Sequence, residues 1–362
     1  MLTPPAHVIR ALCEHVFVRW SNLTIDEDEG TRLPGYRDPA TIRRFDVPEA
    51  LDIRFYEIHA KSAINQVPKA SQMPFRWTIN PYRGCTHACN FCFARPTHTY
   101  LGFNAGRDFE REIVVKVNAP EVVRAELARP SWKGEHVALG TNTDPYQWVE
   151  SRYKLMPGIW EALRDARNPC SILTKSPLLL RDIELMKEIA AVTDIHANLS
   201  IPTLDPKAWR ATEPHTPHPE ARLEAVAELN RAGIPCGVLI APLMPGINDA
   251  PEQVEPLLEA AAAAGATGIG GIALHLRGDV KGLFLDWLRS NRPDLVELYE
   301  RLYARGAYAP LHERNRLASL VRREPGGTWP SRFRERARKW APADDAAERA
   351  APARPAVQES LF

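Results

Sequence analysis

Cys85, Cys89 and Cys92 stand within eight residues, in the run Asn80-Pro-Tyr-Arg-Gly-Cys-Thr-His-Ala-Cys-Asn-Phe-Cys-Phe93. Thiolates are soft ligands that select zinc or iron–sulfur clusters. A loop this short wraps three corners of a cluster and brings no fourth cysteine near, and a metal with an open coordination position is a reactive one. Two other chemistries compete for the same residues. A structural zinc site would be completed by His87 or His98, but such sites draw their ligands as two separated pairs, and the chain has no second Cys-x-x-Cys and no His-x3-His. A thioredoxin-type redox pair, Cys89-Asn-Phe-Cys92, would leave Cys85 idle.

Such a loop needs a rigid frame. Between about residues 75 and 289, short apolar runs alternate with helix-length amphipathic ones, the rhythm of βαβ units and a parallel sheet. The pattern predicts strands at 76–80, 136–140, 171–174, 197–201, 237–241 and 268–274. Helices are expected at 119–128, 158–166, 178–191, 219–232 and 250–264, several opened by proline and closed near glycine. Six strand–helix repeats are fewer than the eight of a closed barrel. The expected fold is therefore α/β, a partial (βα)6 TIM-type barrel around a parallel sheet, with an N-terminal extension and C-terminal helices. The domain plan is an extension over 1–73, the barrel core over 74–290, a helical segment over 291–342 and a mobile tail over 343–362, too poor in large apolar residues to order itself.

Ligands in parallel α/β folds gather outside the carboxyl ends of the strands. The first predicted strand runs into the cysteine loop, and the others end in polar or turn-forming residues: Gly140-Thr-Asn-Thr-Asp-Pro-Tyr-Gln147, Thr174-Lys-Ser176, Asn198-Leu-Ser-Ile-Pro-Thr203 and Ala241-Pro-Leu-Met-Pro-Gly-Ile-Asn248. All converge on one mouth.

The cysteine spacing, set after a strand and before a series of βα units, resembles the signature of radical S-adenosylmethionine (radical SAM) enzymes. The stretches Asn80-Pro-Tyr-Arg-Gly-Cys, Cys92-Phe-Ala-Arg-Pro, Gly140 to Gln147, Leu173-Thr-Lys-Ser176 and Arg231-Ala-Gly-Ile-Pro235 resemble the branch related to spore photoproduct lyase, over about residues 75–289 and more weakly to 308. The resemblance implies that Cys85, Cys89 and Cys92 are metal ligands and catalytic, holding a [4Fe–4S] cluster whose fourth iron takes the amino and carboxylate groups of S-adenosylmethionine. One electron from the cluster then gives methionine and a 5′-deoxyadenosyl radical for hydrogen abstraction from a substrate that the sequence leaves unnamed. A reductase, or a flavodoxin- or ferredoxin-type electron donor, is the implied partner.

By the same resemblance Phe91 lies against the adenine, with the 237–241 strand flanking it through its backbone. Thr141, Asn142 and Asp144 occupy the place of the family's Gly-Gly-Glu motif, from which this chain departs. Asn198 and Ser200 are candidates for the ribose hydroxyls, and Lys175 and Arg222 for the methionine carboxylate. Spore photoproduct lyases carry a hydrogen-donating cysteine near the end of the second strand, where this chain has Leu139-Gly-Thr-Asn-Thr143, so DNA lesion reversal is not supported. Lys175 and Arg222 are also compatible with ordinary salt bridges, and Asp144 and Tyr146 with capping a turn at Pro145. His215 and His218 read as solvated loop residues, and Cys170 and Cys236 as buried inert thiols.

Composition bounds the rest. With 46 Lys and Arg against 45 Asp and Glu, the net charge of +1 supplies no whole-protein field toward nucleic acid or an anionic membrane. A basic-aromatic run at 329–340 offers nucleic acid a local site or forms an amphipathic surface helix with Phe333, Ala337 and Trp340 facing the core, and the near-zero net charge favours the helix. The most apolar stretch, 257–276, is broken by Glu259 and four glycines, which excludes a bilayer span. Six cysteines with three clustered argue for a reducing cytoplasm, and the N-terminus argues against export. The competing function class is a non-catalytic nucleic-acid-binding protein braced by zinc or iron–sulfur. A third, an electron carrier, would turn over without S-adenosylmethionine.

Overall fold

The structure is a computed structural model that describes residues 40–45, 50, 52–68, 71 and 73–321, with the backbone of 23–24 in addition. The basic-aromatic run and the tail expected over 343–362 lie outside the described residues. The strands are β1 (Leu23–Thr24), β2 (Thr41–Arg43), β3 (Arg54–Ala60), β4 (Ile64–Gln66), β5 (Trp77–Ile79), β6 (Tyr82–Arg83), β7 (Glu112–Lys116), β8 (Val137–Leu139), β9 (Cys170–Thr174), β10 (Ile195–Ser200), β11 (Cys236–Leu243) and β12 (Ile269–Ala273). The helices are α1 (Asp108–Arg111), α2 (Ala119–Leu127), α3 (Glu150–Tyr153), α4 (Leu155–Asp165), α5 (Ile183–Val192), α6 (Pro206–Thr212), α7 (Pro219–Arg231), α8 (Pro251–Ala263), α9 (Val280–Asn291), α10 (Val296–Leu302) and α11 (Leu311–Val321).

The main sheet runs β12-β11-β10-β9-β8-β5-β4, parallel throughout except for β4, which pairs antiparallel with β5. Six parallel strands with intervening helices form the expected partial barrel, and β12 is one of its free edges. Along β9 and β10 burial alternates, as a strand's two-residue period requires. Ile172, Ala197 and Leu199 point into the large core under α4, α5, α7 and α8, while Leu173, Asn198 and Ser200 face the other way. Cys170 and Cys236 lie in that core, and burial pushes the Cys170 thiol up to about 12 and Cys236 higher still, as inert thiols require.

The helix expected over 178–191 divides. Ser176 accepts a bond from the Leu178 amide at 3.3 Å, Pro177–Asp182 winds as a 3-10 turn, and α5 follows. The helix expected from 158 begins at Leu155, directly after Lys154, whose left-handed φ of 51° ends α3.

A second sheet, in the order β1-β3-β7-β6 with β2 also on β3, is legible only in the structure. Parallel β3 and β7 are its centre, and β6 pairs antiparallel with β7 immediately before the cysteine loop. Three polar side chains, Glu112 and Glu126 buried and Asn118 half-buried, knit residues 54–66 into the rest. Glu112 accepts from Arg54 Nε at 2.8 Å and from the Tyr56 hydroxyl at 2.9 Å. Asn118 exchanges two bonds with the Ala60 backbone. Glu126 accepts from the Ala63 and Ile64 amides at 2.9 and 2.8 Å, which fixes the start of β4.

Candidate active site

The cysteine loop leaves β6 at Gly84, whose φ of 80° and close neighbours exclude a side chain: a Cβ there would sit 2.7 Å from the Phe109 carbonyl oxygen. The Cys85 amide donates to that same carbonyl at 2.9 Å, which locks the first thiol to α1. Gln147 clamps the loop from the barrel side. Its Oε1 accepts from the Thr86 amide at 2.9 Å, and its Nε2 donates to the Thr143 hydroxyl at 3.1 Å. Thr143 donates in turn to the Gly84 carbonyl at 2.6 Å. Arg95, buried, spreads its guanidinium over the carbonyls of Cys89 at 3.0 Å, Ala88 at 3.1 Å and Gly106 at 2.7 Å, with Glu110 pairing its charge at 2.8 Å. Cys85 and Cys89 are buried, Cys92 is half-buried, and all three are free thiols. Burial, before any neighbouring charge, pushes the Cys89 and Cys92 thiols up. A bare thiolate is costly there, and a bound metal cation removes that cost.

The opposite wall is made by the strand ends. Gly140 closes β8 with φ 81°, and a Cβ on it would stand 2.0 Å from the Leu173 carbonyl oxygen, so the chain turns there only as glycine. Thr141 and Asn142 follow, half-buried, both tied to Asn80: Asn80 Nδ2 donates to the Thr141 hydroxyl at 3.1 Å, and the Asn142 amide donates to Asn80 Oδ1 at 3.0 Å. Asp144 is buried and fully engaged. Its oxygens accept from the Thr174 hydroxyl at 2.6 Å and from the Lys175 and Tyr146 amides at 2.8 and 2.9 Å, and His87 Nδ1 lies at 3.3 Å. Burial alone would raise that carboxyl, yet His87 and these donors hold it below its ordinary range. Burial likewise disfavours charge on His87, but Cys85 and Asp144 outweigh it and hold the imidazole up at about 10. The turn-capping reading of Asp144 is thus realised, with the carboxylate orienting loops on both sides of the mouth.

Lys175 stands at the end of β9 with its ammonium 5.7 Å from the Phe91 ring centroid, so both residues border one space beside the cysteine loop. The same ammonium meets the Ser200 hydroxyl at 2.7 Å and Glu213 at 2.5 Å. The Ser200 hydroxyl donates to the Ala241 carbonyl at 3.1 Å, which joins the β9, β10 and β11 ends. Asn198 faces the same side of β10, where Gly237 makes room for it: a Cβ on Gly237 would lie 2.7 Å from Asn198 Oδ1. Arg222 behaves differently from its expected ligand role. It is wholly buried on α7, and its guanidinium is committed to the Pro217 and Ser200 carbonyls, each at 2.9 Å, to Glu213 at 2.9 Å and to Thr216 at 2.5 Å. Its salt-bridge reading is the one realised.

Glu213, missed in the sequence, lies buried between Lys175 and Arg222. Burial works against its charge, but Arg222 and Lys175 together draw its carboxyl below the ordinary range. Gln147 and Arg95 were also missed as supports, although both sit inside stretches that carry the family resemblance. Nothing in the local sequence singles out Glu213, which lies in a proline-rich loop 38 residues after Lys175.

The histidines offered as a fourth zinc ligand are engaged elsewhere, His87 with its Nδ1 3.3 Å from Asp144. A single zinc ion needs its sulfurs converged at ~2.3 Å from one point, whereas the corners of a cubane hold theirs on separate irons. His98, offered as a fourth zinc ligand, donates from Nε2 to the Glu112 carbonyl at 2.8 Å, stacks on Phe103, and is held down at about 4 by burial. Three free thiols on one loop, two buried and one half-buried, face a cationic and hydroxyl-bearing wall and fit a cluster with a polar ligand on its open side.

Comparison with known proteins agrees. Residues 79–261 match the family model of the radical SAM superfamily, and this chain belongs to that superfamily of enzymes. Rv2578c of Mycobacterium tuberculosis is 48% identical over 294 residues, covering 81% of this chain and 86% of that protein. MJ0683 of Methanocaldococcus jannaschii is 32% identical over 199 residues, covering 54% of this chain and 70% of the other. Both relatives are described as uncharacterized. Among solved structures, a spore photoproduct lyase complexed with dinucleoside spore photoproduct superimposes with a TM-score of 0.53 at 16% identity, over 70% of this chain and 74% of that one. That likeness is one of fold. Radical SAM enzymes require S-adenosylmethionine, an electron donor and a substrate. Among the described residues no helix is long and apolar enough to cross a membrane.

Proposed function

We propose that Cys85, Cys89 and Cys92 ligate three irons of a [4Fe–4S] cluster and that S-adenosylmethionine occupies the space between the cysteine loop and the strand ends. When bound, the pair supplies an electron and a 5′-deoxyadenosyl radical that abstracts hydrogen from the substrate. Phe91 covers one face of the adenine. Lys175 is the cation for the methionine carboxylate, and Asn198 and Ser200 serve the ribose hydroxyls. Thr141 and Asn142 line the β8 end in place of an acidic motif. Arg222 acts as a positioning residue: it fixes Glu213, which aims Lys175, and the Ser200 backbone. The enzyme works in the cytoplasm and draws its electron from a flavodoxin- or ferredoxin-type donor or a reductase.

The observation that carries this reading is the Phe91–Lys175–Glu213 alignment beside three free thiols on one loop. It is tested by anaerobic reconstitution with iron and sulfide followed by dithionite reduction. Release of 5′-deoxyadenosine from S-adenosylmethionine is expected, together with about four irons per chain. Turnover that persists in a Cys89→Ala variant overturns the assignment.

A further inference from the structure

Large apolar side chains exposed on a folded protein are ordinary when scattered, and informative when they line one edge. Phe93, Ile272 and Tyr308 remain 49%, 48% and 61% exposed, and they gather where the barrel stops at β12. Phe93 directly follows Cys92. Its ring lies 5.6 Å from that of His275, two residues beyond β12, at an interplanar angle of 33°. His275 stacks in turn on Tyr308 at 5.6 Å and 20°, and the Arg314 guanidinium carbon stands 5.8 Å from the Tyr308 centroid. Backbone contacts hold this row in place: His275 and Tyr308 form an antiparallel bridge, and the Leu276 amide donates to the Ala307 carbonyl at 2.8 Å. The rings therefore tile outward from the third cysteine to the surface.

Cations flank the row. Arg277, Arg305 and Arg314 are exposed, and among the described residues none has a carboxylate partner. Of the nearby acids, Glu313 is taken by Arg316, and Asp279 stands exposed at the start of α9. Rings in a row suit any planar ligand, but guanidinium groups beside them that have no carboxylate partner among the described residues, Arg314 bonding only the Ala309 carbonyl at 3.1 Å, add phosphate recognition. Stacked bases and paired phosphates are the two contacts by which proteins hold single-stranded nucleic acid. A near-neutral net charge does not oppose this, because the cations are local.

We infer that the Phe93–His275–Tyr308 row, with its three arginines, is a binding surface for an unpaired nucleic-acid strand that brings a base to the cysteine loop. That the strand is the substrate rests on the proposed radical chemistry. The strand site itself does not.

The test is fluorescence anisotropy of a fluorescein-labelled dodecathymidylate titrated with the anaerobically reconstituted full-length protein. Binding that weakens as salt rises is expected. Tyr308→Ala and Phe93→Ala should each weaken it about 5- to 150-fold, the range for losing one stacked base. Tyr308→Phe, which keeps the ring, should bind within about twofold of wild type, and Arg314→Ala should lower the salt slope by about one. Three results overturn the inference: no anisotropy change, affinity indifferent to both alanine variants, or equal and salt-independent binding of an uncharged aromatic peptide. The affinity of Tyr308→Phe and the salt slope of Arg314→Ala keep the question answerable if an alanine variant fails to fold. Release of 5′-deoxyadenosine by wild type separates the two claims. Release without strand binding sinks the strand site alone, and strand binding without release sinks the radical chemistry and leaves the site standing.

Discussion

The two sheets treat their polar groups in opposite ways. At the mouth of the seven-stranded sheet, Lys175 and Asn198 are half-buried and Ser200 is buried beside them, with the Lys175 ammonium and the Ser200 hydroxyl directed at one another. In the five-stranded sheet, a buried polar group is spent on the chain itself: Glu112 accepts from Arg54 and Tyr56. Buried polar groups with complete partners rigidify, whereas those left with spare capacity at a cavity can bind. The cysteine loop is stretched between the two regimes, clamped by α1 from the second sheet and by Gln147 from the first. Glu150 welds them a second time, accepting from Tyr82 of β6 at 2.5 Å and from Arg181 at 2.6 Å.

If that division holds, perturbing the mouth changes chemistry and perturbing the second sheet changes stability. The largest effect is expected from Cys85→Ala, Cys89→Ala or Cys92→Ala, each eliminating 5′-deoxyadenosine release and lowering iron content, read by product chromatography and metal analysis. Next stands Glu213→Gln, which leaves the buried Arg222 and the half-buried Lys175 sharing a neutral partner; removing one member of a buried charge pair costs about 3–5 kcal/mol. A lowered melting temperature should accompany a KM for S-adenosylmethionine raised more than kcat falls, and a variant with unchanged KM would remove Lys175 from the ligand site. Gly140→Ala should cost about 3 kcal/mol through its left-handed turn and the Leu173 carbonyl, measured by urea unfolding.

The smallest effect belongs to the second sheet. Lys116 of β7 is buried, and burial lowers its ammonium to about 7. Between pH 7 and its unfolded value of about 10.4 the unfolded chain binds one more proton than the native one, so stability should rise with pH across that window. From pH 7 to 8 the gain is about 1 kcal/mol at most, and Lys116→Met should flatten it while leaving product release untouched. A variant that flattened the stability curve and abolished activity together would erase the distinction between the sheets.

Much of the barrel was legible because its signals are local. A strand such as 195–200 announces itself by apolar residues between turn formers, and Pro219 and Pro251 mark helix starts whatever lies elsewhere. The cysteine loop was legible for the same reason, since its three donors lie on eight consecutive residues. The second sheet was not, because β3 finds its partner β7 more than fifty residues away, across the whole of β5 and the cysteine loop. Two-residue β6 carries no periodicity at all.

Roles divide along the same line. The residue types alone determined that three thiolates share one loop and that Lys175 and Asp144 end strands at a common mouth. Only the tertiary structure decided what each then does. Arg222 was turned inward to Glu213 and Ser200, and Asp144 was consumed by four donors, because a buried charge must find its partners wherever the fold brings them, and no reading along the chain measures that distance.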